Sequence, residues 1–133
     1  TVDAAGKVTV KGPGVAKITV KAAATTDYKA ASKTVTVTVA PKKQSISLVN
    51  KIKKQLTIKW KKNTKASGYQ VVYSTNKKFT GKKTVRKAKT TTSYKIKGLK
   101  KGKKYYVKVR SYKTVNGKRI YGAYSTAKKA TIK

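Results

Sequence analysis

The chain has no cysteine, no histidine and no glutamate, and its only acids are Asp3 and Asp27. Each absence closes a class of chemistry. Without cysteine there is no disulfide, no thiolate nucleophile and no sulfur ligand for zinc. Without histidine the usual general base near neutral pH is gone. Two Asp far apart in sequence do not form an acid–base pair, nor do they cluster the oxygen ligands that calcium needs. They read as turn residues with solvated or lysine-paired carboxylates. A Ser–Lys dyad needs a desolvated lysine, and nothing in the sequence marks one. An autocatalytic Lys–Asn isopeptide bond needs a buried acid, yet Asn50, Asn63, Asn76 and Asn116 all follow residue 40, where no acid occurs. No Asn-x-Ser/Thr sequon is present. No apolar run approaches the roughly 18 residues of a membrane span. The chain opens on Thr1 without a signal-peptide pattern, so the expectation is a mature or truncated piece of a protein. What remains is a non-catalytic chain with no metal and no cofactor.

What is abundant is positive charge: 33 Lys and 3 Arg give a net +34 over 133 residues. Like charges on one compact body repel, so this bias costs stability and points to a polyanionic partner. The distribution is uneven. Residues 1–40 carry six Lys and both Asp, a net +4, whereas residues 41–133 carry 27 Lys and 3 Arg with no acid. Pro41, Lys42 and Lys43 stand at the change, and a short semi-rigid linker is expected over residues 41–43, dividing a domain over 1–40 from one over 44–133.

The densest clusters are Lys51, Lys53 and Lys54; Lys59, Lys61 and Lys62; Lys77 and Lys78; Lys82 and Lys83; Lys100, Lys101, Lys103 and Lys104; Lys128 and Lys129. Any one of them reads as a solvated loop or strand face. Together they do not, because solvated surfaces normally mix signs. Nucleic-acid readers lean on the arginine fork, and here lysine outnumbers arginine 33 to 3. A hydrated point charge suits diffuse attraction to a flexible polymer: teichoic acid, another anionic wall glycan, or lipid headgroups. Nucleic acid is expected to bind only non-specifically, by counterion release.

The apolar residues are largely Val, Ile, Tyr and Ala, with abundant Thr, a β-forming palette. They alternate with polar residues at Val8 and Val10, Ile18 and Val20, and Val35, Val37 and Val39. The pattern resumes at Ile46 and Leu48, at Leu56, Ile58 and Trp60, at Tyr69, Val71 and Tyr73, at Tyr94 and Ile96, and at Tyr105, Val107 and Val109. Period-two alternation predicts half-buried antiparallel strands. Asn116-Gly117 predicts a two-residue hairpin turn, and a last strand is expected near Ser125–Ile132. About seven strands at roughly ten-residue spacing over residues 44–133 predict a β-sandwich.

Those residues carry a resemblance. Leu99-Lys-Lys-Gly102-Lys-Lys-Tyr105-Tyr-Val107-Lys-Val109 resembles the fibronectin type III signature, in which a Leu, a turn Gly and a Tyr precede the sixth strand. Lys101 stands where that family usually has Pro. Trp60 and Tyr69 fall where the family places aromatics of its second and third strands, and Tyr124-Ser125 resembles the aromatic–Ser pair before its last strand. The resemblance implies that Tyr105 is the tyrosine corner, its hydroxyl bonded to backbone of the preceding loop, with Trp60, Tyr69 and Leu99 in the core.

Residues 1–40 resemble the later strands of a group 2 bacterial immunoglobulin-like domain, through Val2-Asp3-Ala-Ala-Gly6-Lys7-Val8-Thr-Val10, Gly12-Pro-Gly14-Val-Ala-Lys-Ile18-Thr-Val20 and Thr34-Val-Thr-Val-Thr-Val39. The earlier strands of such a domain are missing. The implied architecture is an all-β chain, an incomplete immunoglobulin-like β-sandwich followed by a seven-stranded fibronectin type III β-sandwich. This pairing resembles C-terminal stalks, spacers and attachment modules of large surface or secreted proteins of Gram-positive bacteria, so the expected location is extracellular. Half a sandwich leaves an apolar face and open edges, and a strand-donating polypeptide is the expected partner of residues 1–40. One further surface is notable. Tyr106 and Tyr112 are expected to share an outer sheet face with Lys and Arg, where they either stack on sugar rings or pair across strands under lysine stems.

Overall fold

The computed structural model describes residues 1–133 and is all β. Its ten strands are β1 (Gly14–Ala22), β2 (Ala31–Val39), β3 (Ile46–Val49), β4 (Leu56–Trp60), β5 (Gly68–Ser74), β6 (Lys83–Ala88), β7 (Ser93–Ile96), β8 (Lys104–Val115), β9 (Lys118–Tyr121) and β10 (Lys128–Thr131). From β3 onward they form two antiparallel sheets. One is β3-β4-β7. The other is β10-β8-β5-β6, with β9 also pairing β8.

Alternation sets which residues face the gap between the sheets. In β4, Leu56, Ile58 and Trp60 are buried while Lys59 is exposed. Leu56 pairs Ile96 and Ile58 pairs Tyr94 on one side; Ile58 pairs Leu48 and Trp60 pairs Ile46 on the other. In the facing sheet Val71 pairs Val109 and Tyr73 pairs Val107. With Tyr69, Leu99 and Ile132 these residues close a single core. Each fully buried Val, Leu or Ile contributes about 1.5 to 3 kcal/mol, the main term available to offset the self-repulsion of the surface.

Two strands depart from the sequence reading. β6 was not expected, because Val85 is its one large apolar residue and an edge strand needs little more. β9 is the other: it completes the hairpin expected at Asn116 (φ 48°) and Gly117 (φ 73°) as a strand of its own, so β3–β10 are eight strands rather than about seven, while β10 lies where the last strand was expected and pairs β8. Positive φ at both central positions is what such a turn demands.

Residues 41–44 do not span free solvent. Pro41 is buried, and the Ser111 hydroxyl and Gln44 Nε2 each donate to the Lys42 carbonyl at 3.2 Å. A Cβ at Gly122 would sit 2.3 Å from the Pro41 carbonyl oxygen, so glycine is what admits this close approach.

Ahead of that segment β1 and β2 pair over nine residues as a separate two-stranded sheet. One face carries Ala16, Ile18 and Val20 opposite Val37, Val35 and Lys33; on the other the Thr19 and Thr34 hydroxyls meet at 2.8 Å. The expected strand at Val8 and Val10 reduces to one bridge, Val2 to Val8, because the turn at Asp3–Gly6 offers no longer partner. The apolar face is open: Val20 and Val35 are 64% and 48% exposed, and Val10 ahead of β1 is 60% exposed. A groove of about 440 Å³ runs beside the sheet, lined by Val2, Val8, Val10, Ile18, Val37 and Val39 among others.

Candidate polyanion interface

All sixteen clustered lysines are solvent-exposed. The fold brings many of them to one end of the sandwich. The β3–β4 loop, the β7–β8 loop and the segment after β10 are tied there by backbone bonds. Lys54 N donates to the Lys133 carbonyl at 2.9 Å, Leu99 N to that of Lys54 at 3.0 Å, Gly102 N to that of Ile132 at 2.8 Å, and Ile132 N to that of Lys103 at 3.0 Å. Asn50 Nδ2 adds a bond to the Thr131 carbonyl at 2.6 Å. This knot gathers Lys51, Lys53 and Lys54 with Lys100, Lys101, Lys103 and Lys104. It also gathers Lys97 and Lys133, which the sequence reading did not single out because their proximity depends on strand order. Lys128 and Lys129 lead into the knot along β10. Lys77, Lys78 and Lys82 lie in the β5–β6 connection and Lys83 begins β6; that connection leaves β5 where Ser74 pairs Tyr106, close to the start of β8.

Other lysines lie apart. Lys59 is mid-strand on the outward side of β4, opposite Ser47 and Ser93. Lys61 and Lys62 belong to the opposite end, where they border a shallow hollow with Lys42, Lys43 and Lys65. Lys89 adjoins them beside Lys62 and Asn63.

The outer face of the β8 sheet is occupied by its own side chains. Arg110 lies between two rings, its guanidinium carbon 3.8 Å from the Tyr121 centroid and 4.3 Å from that of Tyr124. Gln70 Oε1 accepts from Arg110 Nε at 2.7 Å and from the Tyr124 hydroxyl at 3.0 Å. Lys108 Nζ sits 4.1 Å from the Phe79 centroid and 4.5 Å from Tyr124. Tyr112 meets Tyr121 edge-on at 5.8 Å, and Arg119 lies 5.6 Å from its ring. Cations thus alternate with rings across the face, each favourable contact contributing about 0.5 to 2 kcal/mol. The arrangement buries Val72 and Gln70 on a side where strand alternation alone predicts exposure. Phe79 holds φ at 61°, unusual for a bulky residue, and its ring is buried over Lys108. Tyr112 is therefore engaged by its neighbours, while Tyr106 is half-buried between Ser74 and Lys129 in the strand register.

Trp60 and Tyr69 pack in the core with ring centroids 5.4 Å apart, and Leu99 is buried at the lower edge of the same cluster. The Tyr69 hydroxyl accepts from Asn63 N at 2.6 Å. The Tyr105 hydroxyl accepts from Lys100 N, in the preceding loop, at 3.4 Å. Tyr73 has its hydroxyl pKa raised, first by burial and then by the neighbouring Tyr94 and Tyr105.

Known structures share this fold. The chain resembles the fibronectin type III domain of the human collagen alpha-1(XX) chain, with 15% identity, TM-score 0.54, and coverage of 67% of this chain and 82% of that one. It resembles the sixth such domain of human fibronectin type III domain containing protein 3 at 15% identity and TM-score 0.58, covering 72% and 88% respectively. A domain of human contactin 1 aligns at 15% identity and TM-score 0.57, covering 66% and 73%. These likenesses concern the fold. No curated protein matches by sequence. The fibronectin type III domain model matches residues 39–127, most of the chain and the whole two-sheet body as far as the approach to β10, and the chain belongs to that family.

Proposed function

We propose that this chain is a non-catalytic, polycationic module of an extracellular bacterial protein, which holds that protein on anionic cell-wall or surface polymers such as teichoic acid. Fibronectin type III domains are typically binding or structural modules, in keeping with a chain that lacks His, Cys and Glu. The observation that carries the reading is the exposure of all sixteen clustered lysines on a body without one acid after residue 40. Retention of the chain by teichoic-acid-bearing walls tests it. Binding should be strong at about 50 mM salt and largely lost by about 200 mM, as counterion release requires. Equal retention by walls stripped of teichoic acid would sink it.

A second reading is favoured by the open face of β1 and β2. In it residues 1–40 are the later part of a bacterial immunoglobulin-like domain, completed by strands from another chain, and the molecule is a spacer or assembly module. Exposed valines on a two-stranded sheet support this, since so small a sheet lacks a second layer. The two readings separate by salt: a strand-completed complex keeps a fixed stoichiometry at 1 M NaCl, while polymer attachment does not. Glycan stacking by Tyr106 and Tyr112 is the weakest reading, because Arg119 and Tyr121 already pack on Tyr112.

A further inference from the structure

We infer that the module engages its polyanion end-on, through the lysine crown built by the β3–β4 loop, the β7–β8 loop and the segment after β10; this rests on the attachment reading above. The two ends of the sandwich are not equivalent. At the crown, three segments distant in sequence are fixed to one another by backbone hydrogen bonds, so their lysines project from a preorganised base. Lysines on a rigid base lose less freedom on meeting a linear anion than lysines on free loops, and the surplus appears as affinity.

The opposite end is comparably rich in lysine, but part of it is bordered by the segment ahead of β1. Lys65 Nζ donates to the Lys11 carbonyl, and Lys11, Gly12, Pro13 and Ala40 wall a hollow that includes Lys42 and Lys65. Both acids of the chain lie in residues 1–40, the part that supplies this border. A polymer approaching Lys42 and Lys65 meets residues 11–13 beside them. The outer face of the β8 sheet is closed in another way, since Lys108 and Arg110 are spent on aromatic rings. The crown is thus the place where many exposed cations, a fixed framework and free access coincide. The ligand class is a linear polymer of repeating phosphate charge, followed by charge density alone, because lysine offers no bidentate geometry.

The test uses inorganic polyphosphate and two variants of the full chain with equal charge. One replaces Lys51, Lys53, Lys100, Lys101 and Lys103 by Gln, and the other replaces Lys42, Lys43, Lys61, Lys62 and Lys89 by Gln. Each lysine that contacts phosphate adds about 1 to the slope of log affinity against log salt. The crown variant should lose about 3 or more from that slope, and the opposite-end variant less than about 1. Equal losses, or a larger loss in the opposite-end variant, would overturn end-on binding and leave charge-driven attachment standing. A salt-independent affinity of the unmodified chain would overturn both. Lysine acylation footprinting of the unmodified chain gives a readout that needs no variant. Polyphosphate should protect the crown lysines more than Lys61 and Lys62, and uniform protection would contradict the inference.

Discussion

Tyr69 and Tyr105 each offer a hydroxyl oxygen to a backbone N–H, but in different settings. Tyr69 is fully buried and its bond to Asn63 N is 2.6 Å. Tyr105 is half-buried and its bond to Lys100 N is 3.4 Å at an exposed loop. Tyr69→Phe should cost about 1 to 3 kcal/mol, because a part-buried donor is left without its acceptor. Tyr105→Phe should cost less than about 1 kcal/mol. Urea titration of both variants decides this, and equal costs would contradict it. The family resemblance assigned a hydroxyl bond to Tyr105 and only a core position to Tyr69, since the length of a hydrogen bond across a loop has no signature in residue spacing. Tyr73 gives a pH test. Its folded pKa is raised by burial and by Tyr94 and Tyr105, so its contribution to stability is complete below the unfolded value of about 10. Above that pH the unfolded chain releases the proton first, and stability falls as pH rises through the raised folded value. The stability gap between the unmodified chain and Tyr73→Phe should be constant from pH 7 to 9 and should then shrink. A gap that held constant to pH 11 would show that the phenol titrates alike in both states.

In strand β8 the inner residues Val107 and Val109 follow from alternation, and the structure puts them fully inside. The outer residues Lys108 and Arg110 were not legible as structural. Their partners arrive from elsewhere: Phe79 from the β5–β6 connection, Tyr121 from the end of β9 and Tyr124 from the β9–β10 connection. A cation in a lysine-rich strand reads as solvated until its neighbours across the sheet are known. Arg110→Met keeps most of the stem volume but removes the bond to Gln70 and both ring contacts. It should destabilise by about 1 to 3 kcal/mol, whereas Arg86→Met, at an exposed position on β6, should change stability by under about 0.5 kcal/mol. Hydrogen exchange should also report faster opening of residues 122–127 in the first variant, since Arg110 and Gln70 hold Tyr124 of that segment. Unchanged stability and exchange would mean the rings and cations are neighbours without consequence. The same limit hid the lysine crown, where each cluster was visible in sequence and their meeting point was not.

Taken whole, the molecule is a small apolar core inside a shell of like charge. Screening shortens to about 10 Å at 0.1 M salt, so added salt weakens repulsion between exposed lysines. The melting temperature should therefore climb with NaCl, and climb further with polyphosphate, which adds linked binding to screening. A flat melting temperature across that range would mean that the lysines repel too weakly to matter. The asymmetry of charge about residue 40 was plain in the sequence; the seating of Pro41 and Gln44 against Ser111 and Gly122 was not, because it depends on a close backbone approach that only the fold reveals. The central claim is that charge density on the fibronectin type III body is what holds a polymer. Titration of the full chain with polyphosphate between 50 and 200 mM NaCl tests it most directly. Five or more neutralised phosphates predict that affinity falls linearly on logarithmic axes, by at least about 100-fold over that range. An affinity that changed less than about threefold would contradict the account.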